Sequence, residues 1–101
     1  MKAAALSPLA ERDLLGAVRW IAKDNPAAAR GLRRAVVAVS RRIGEYPELG
    51  AIRLELASER HRFVVLTGFP HVVVYNSKRR PPMIVRILHG ARDLPELLRD
   101  L

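Results

Sequence analysis

The sequence predicts an α+β fold, a two-layer sandwich in which an α-helical hairpin lies on one face of an antiparallel sheet. Two observations predict it. Apolar residues recur at helical spacing up to about Gly44, and after Gly50 their period changes to two. The expected order is β-α-α-β-β-β(-β): an N-terminal strand, the hairpin, a meander of three or four strands, and a short C-terminal helical turn.

Lys2 to Leu6 is the opening strand, weakened by its alanines. Ser7-Pro8 starts the first helix: the serine hydroxyl can cap an orphan backbone N–H, and proline sits where its missing N–H costs nothing. Leu14, Val18 and Ile21, with Leu15 and Ala22 alongside, carry the buried stripe of a helix from about Pro8 to Asp24. Asn25-Pro26 repeats the start signal. Leu32, Val36, Val39 and Ile43 form the apolar face of the second helix, with Gly44 as its stop and Tyr46-Pro47 through Gly50 as a turn. So short a connection folds the helices back antiparallel.

In the second half Ile52, Leu54 and Leu56 alternate with Arg53 and Glu55, as in a strand with one wet face. Arg62–Thr67, His71–Asn76 and Met83–His89 follow as strands, separated by Gly68-Phe69-Pro70 and by the loop from Ser77 to Pro82. Short turns make them an antiparallel meander. With both helices on one face, the other face is expected to stand open as a place to bind. Asp93 and Glu96 are spaced as a capping box for a final turn bearing Leu94, Leu97, Leu98 and Leu101. A turn that short must dock on something to persist.

Composition narrows the function. The chain's 101 residues suit a single domain over 1–101. With no cysteine there is no disulfide, thiolate nucleophile or cysteine zinc site. No apolar run approaches the ~20 residues that span a bilayer, and Ser7-Pro8 comes too early for a signal core. A soluble cytoplasmic protein without a membrane partner is the expectation. The formal charge is +8, and fifteen of the eighteen basic residues are arginine. Arginine's planar fork matches phosphate and carboxylate alike, so an anionic partner is implied, nucleic acid or acidic protein. A solvated cationic surface is the plain alternative.

His61, His71 and His89 lie on separate elements without metal-ligand spacing, so neither a metal nor a cofactor is expected. Glycines are single, excluding a phosphate loop, and no serine sits in a nucleophile elbow. One constellation remains: Arg60, Arg62, Arg86, His89 and Arg92 in or beside the meander, with Tyr75 on the neighbouring strand. Cleaving RNA through its own 2′-hydroxyl needs a base, an acid and cations on the phosphate. A plain structural account is preferred, because no second proton-transfer group is placed beside His89. His89 closes its strand by a hydrogen bond, Arg92 and Asp93 form a local ion pair, and Tyr75 caps the core with its hydroxyl at the surface.

Phe69-Pro70-His71-Val72-Val73-Val74-Tyr75 followed by Ile84 to Leu88 and His89-Gly90-Ala91-Arg92-Asp93 resembles the ParE-type toxins of the RelE/ParE superfamily, the plasmid stabilisation toxins of type II toxin–antitoxin pairs. The likeness extends to the opening strand, the Asn25-Pro26 junction and Tyr46-Pro47 with Gly50. It implies the same two-layer fold. RelE-like members are ribosome-dependent mRNA endonucleases with basic residues on the sheet and a tyrosine or histidine near the C-terminus. ParE-like members lack that set and poison DNA gyrase. Here the tail after Asp93 holds no tyrosine, histidine or lysine, which favours the gyrase poison. If the chain were instead a nuclease, Arg60, Arg62, Arg86 and His89 would carry it; a non-toxic antitoxin-binding scaffold is the third possibility. The resemblance also implies a hetero-oligomer with a cognate antitoxin whose acidic, amphipathic C-terminal segment wraps the toxin. Arg30, Arg34, Arg41, Tyr75, Arg86, Arg92, Leu97 and Leu98 are the expected contacts to antitoxin or target, with direct nucleic-acid binding left open.

Overall fold

The structure, a computed structural model describing residues 2–101, contains β1 (Ala5–Leu6), α1 (Pro8–Ala22), α2 (Pro26–Glu45), β2 (His61–Val65), β3 (His71–Asn76), β4 (Met83–His89) and α3 (Leu94–Leu97). The sheet order is β1-β4-β3-β2. β2, β3 and β4 form the antiparallel meander, and β1 adds parallel to β4 through Ala5↔Met83 and Leu6↔Ile84.

Both helix starts obey their caps. The Ser7 hydroxyl accepts from the Ala10 N–H at 3.0 Å and the Asn25 side chain accepts from the Ala28 N–H at 3.0 Å. Ser7 also donates to the Val85 carbonyl at 3.1 Å, so one side chain begins α1 and ties it to β4. The main core lies between hairpin and sheet. Leu32, Val36, Val39 and Ile43 of α2 meet Val73, Tyr75, Ile84 and Ile87. Ile84 and Ile87 share that face only because the ladder slips: Tyr75 pairs Ile84 while Val74 pairs Arg86, leaving Val85 as the extra residue.

Several expectations are corrected. The sheet's other face is covered, not open. Phe63, Val72, Val74 and Leu88 pack there under Leu94 and Leu98, with Leu56, Ala57 and Leu97 alongside. That cover is what the short α3 docks on. Ile52–Leu56 is no strand: after the single Ala51↔Phe63 bridge the chain turns, with the Leu56 and Ala57 N–H groups donating to the Arg53 carbonyl. The turn drops Leu56 and Ala57 onto Phe63's side of the sheet and leaves Ile52 and Leu54 outside. The alternation there marks a flap, not a pleat.

Gly44 does not stop α2, which continues to Glu45. It is glycine because the N-terminal segment crosses it: an added Cβ would strike the Lys2 carbonyl oxygen and come within 2.9 Å of the Ala3 Cα. The Ala4 N–H donates to the Ser40 carbonyl at 2.8 Å beside this crossing. Asp93 makes no side-chain cap, and Glu96 pairs with Arg99 at 3.0 Å instead, so the capping box is absent.

Candidate functional site

The four residues of the nuclease constellation do not converge. Arg62, on β2, turns its Nη1 back onto its own scaffold, donating to the Gly50 carbonyl at 2.8 Å and the Glu48 carbonyl at 3.3 Å. Tyr75 serves the same loop from below. Its hydroxyl donates to the Pro47 carbonyl at 2.7 Å and accepts from the Gly50 N–H at 2.8 Å. The ring is fully enclosed, so the expected surface hydroxyl is a buried clasp on the 47–50 turn. Burial pushes its pKa up, opposed in part by the Gly50 hydrogen bond.

Arg86 is likewise committed. Its Nε and Nη2 donate to the two oxygens of Asp13 at 2.8 and 3.1 Å, and its Nη1 reaches the Leu97 carbonyl at 3.4 Å. The Asp13 hydrogen bond, outweighing desolvation, raises the guanidinium's pKa further. One Asp13 oxygen also accepts from the Ile87 N–H at 3.0 Å, on the rim of β4 that β1 leaves uncovered. Arg86 therefore joins α1, β4 and α3, and little of it faces solvent, 16% of its side chain.

His89 lies at the far end of the sheet. It pairs across the ladder with His71, whereas Arg62 pairs with Tyr75. Four steps along β3, from His71 to Tyr75, separate these pairs, about 13 Å at a strand's rise of roughly 3.3 Å. The two pairs thus lie at opposite ends of β3. His89's Nδ1 accepts from the Ala91 N–H at 3.1 Å, so its strand-closing hydrogen bond is present and its neutral ring carries the proton on Nε2. Among the described residues no Arg92–Asp93 ion pair forms. Arg60 stands apart again, exposed beside His61, Lys78 and Arg79 around a shallow cavity of about 720 Å³.

Of the expected contact residues, Arg30, Arg34 and Arg41 are exposed on α2 and fall with Val37, 48% exposed, on one stripe of the helix. Arg92 is exposed and Leu97 half-buried, while Leu98, only 1% exposed, is interior like Tyr75 and offers no surface. The sequence reading missed Asp13, the residue that occupies Arg86. It also missed Trp20, 72% exposed with the Lys23 ammonium 5.1 Å from its ring centre. A carboxylate on the first helix and an arginine 73 positions later carry no local signal of pairing. Among the described residues no three histidine, cysteine or carboxylate side chains cluster as metal ligands, and no helix is long and apolar enough to cross a membrane.

Comparison with known proteins bears on the family and the fold. Residues 4–94 match the family described as ParE toxin of type II toxin-antitoxin system, parDE. The fold is that of a chain from the chromosomal ParDE TA system of P. aeruginosa, with TM-score 0.72 and 19% identity over 88% of this chain and 96% of that one. No match is found among curated proteins. Fold and family match together define a toxin of the type II toxin–antitoxin class. More narrowly, the chain belongs to the ParE toxin family.

Proposed function

We propose that this toxin arrests growth in the cytoplasm by binding and poisoning DNA gyrase, and that a cognate antitoxin neutralises it by wrapping an acidic, amphipathic segment around it. The observation that supports binding rather than cleavage is the commitment of the sheet arginines. Arg62 turns its Nη1 to the Gly50 and Glu48 carbonyls, Arg86 is held by Asp13 and the Leu97 carbonyl, and His89 stands at the opposite end of β3 from Arg62's partner Tyr75. General acid–base chemistry on RNA needs its proton-transfer group and its cations on one phosphate.

The antitoxin is placed along α2, where Arg30, Arg34 and Arg41 flank Val37. A stripe of cations around an apolar residue suits an amphipathic acidic helix, and the +8 charge accelerates encounter with it. Arg92, in the turn beyond β4, and Leu97, on α3, form a second contact.

The test is induction of the toxin alone, then with the acidic protein of an adjoining reading frame. Growth arrest with DNA-damage signalling, and trapped cleavage complexes when purified toxin meets gyrase, support the proposal. Codon-positioned transcript cuts that disappear in His89→Ala would replace it with the nuclease. Tight antitoxin binding without any arrest would replace it with the scaffold.

A further inference from the structure

A cleft of about 460 Å³ opens between α1 and the His71–His89 end of the sheet, away from the stripe on α2. Its volume lies within the ~300–1,000 Å³ of small-molecule sites. Arg12, Gly16 and Trp20 line it from α1, His71 and His89 from β3 and β4, and Arg92 from the turn beyond.

Asp13 and Arg86 also border this cleft, but they neutralise each other. Arg12 and Arg92 have no carboxylate within ion-pairing distance among the described residues. The cleft therefore holds two uncompensated guanidinium groups. His89 adds an Nε2–H, since its Nδ1 is taken by the Ala91 N–H. Behind it stands His71, its ring centre 5.5 Å away, edge to face, with a buried Nδ1 that finds no partner. Burial first, and the neighbouring His89 second, hold His71 toward its neutral form.

A carboxylate would satisfy one guanidinium and leave the other. A phosphate monoester carries up to two charges and enough oxygens for both arginines and the imidazole N–H. The remaining wall is the indole of Trp20, a flat apolar face in water next to the cations, and aromatic rings are what nucleobases stack on. We propose that this cleft binds a nucleotide, its phosphate held by Arg12, Arg92 and His89 and its base laid against Trp20. A free mononucleotide and the 5′-phosphorylated end of a strand present the same chemistry.

Trp20 is the only tryptophan in the chain, so its fluorescence reports on the cleft directly. Titration with AMP is expected to quench it saturably. Adenosine and inorganic phosphate should each bind at least about tenfold more weakly, having lost the charged or the stacking contact. Arg92→Ala and Arg12→Ala, both at exposed positions, should each weaken AMP about tenfold. Gly16→Phe should abolish binding with an unchanged far-UV spectrum, because a Cβ at Gly16 meets nothing within 4 Å and the ring fills the cleft. A 5′-phosphorylated trinucleotide binding more tightly than AMP assigns the site to a strand end; equal binding assigns it to the free nucleotide. Absence of saturable quenching by either ligand up to about 10 mM, far weaker than a specific site, overturns the proposal. So does quenching indifferent to Arg12→Ala and Arg92→Ala, or inorganic phosphate binding as well as AMP.

Discussion

Asp13 and Arg86, 73 residues apart, form a two-point ion pair at 2.8 and 3.1 Å that fastens the first helix to the last strand. Removing one partner strands the other, and Asp13→Ala also frees the Ile87 N–H. With side chains only 14–16% exposed, the expected loss is about 2–4 kcal/mol in urea unfolding. Asp13→Leu/Arg86→Met should recover the part due to the stranded charge, because two apolar partners bury without one, while the Ile87 N–H stays without its acceptor. A double variant as unstable as Asp13→Ala would mean the pair itself, not its stranded half, holds the elements together.

Tyr75→Phe keeps the ring in the core and deletes one hydroxyl that makes two hydrogen bonds. The Gly50 N–H is left enclosed without an acceptor, so a loss of about 1–3 kcal/mol is expected. Because burial raises the folded-state pKa of Tyr75, ionisation favours the unfolded chain. Wild-type stability should therefore decline once the pH exceeds the ordinary tyrosine value of about 10. The Tyr75→Phe variant should decline less over that range, as followed by chemical denaturation.

His61 and His71 set the acid side. Burial lowers both pKa values, with Arg60 adding to the effect at His61 and His89 at His71. A depressed folded-state value means the unfolded chain binds the proton first. Stability present above the unfolded value of about 6.5 is thus lost as the pH falls through the folded values. Urea midpoints measured from pH 8 to about pH 5 should decrease for the wild type and flatten in His61→Phe/His71→Phe.

Two helical glycines should respond in opposite directions to alanine. Gly16 faces open space, so Gly16→Ala should stabilise by about 0.5–1 kcal/mol through helix propensity. At Gly44 the new methyl runs into the backbone of Lys2 and Ala3, and overpacking of this kind costs about 1–3 kcal/mol. Thermal unfolding of the two single variants compares them.

On the α2 stripe, Arg30→Glu/Arg34→Glu/Arg41→Glu should leave unfolding within about 1 kcal/mol of wild type, since the positions are exposed. Antitoxin association should slow by an order of magnitude or more and lose its salt dependence. Surface-capture kinetics at two salt concentrations read both.

Much of the fold was legible because its signals are local. Ser7-Pro8 and Asn25-Pro26 mark helix starts by the chemistry of two consecutive residues, and Val72 to Val74 mark a strand by branching at Cβ. Gly44 misled because the reason for it lies in the crossing of Lys2 and Ala3, forty residues back. Ile52, Leu54 and Leu56 misled because alternation alone cannot distinguish a pleat from a flap that buries only its end. The site suffered most. Arg62, Arg86 and Tyr75 have the composition of a phosphate site, and only their partners, Gly50, Asp13 and Pro47, reveal that they brace the domain.

The parallel pairing of Ala5 and Leu6 with Met83 and Ile84 bears on how the chain is born. A ribosome delivers the first strand long before its mate, and the Ser7 tie to Val85, 78 positions on, cannot close until that later strand has been made. Such distant contacts form late in folding. Until β4 emerges the polypeptide therefore has neither a mate for its first strand nor the second anchor of its first helix.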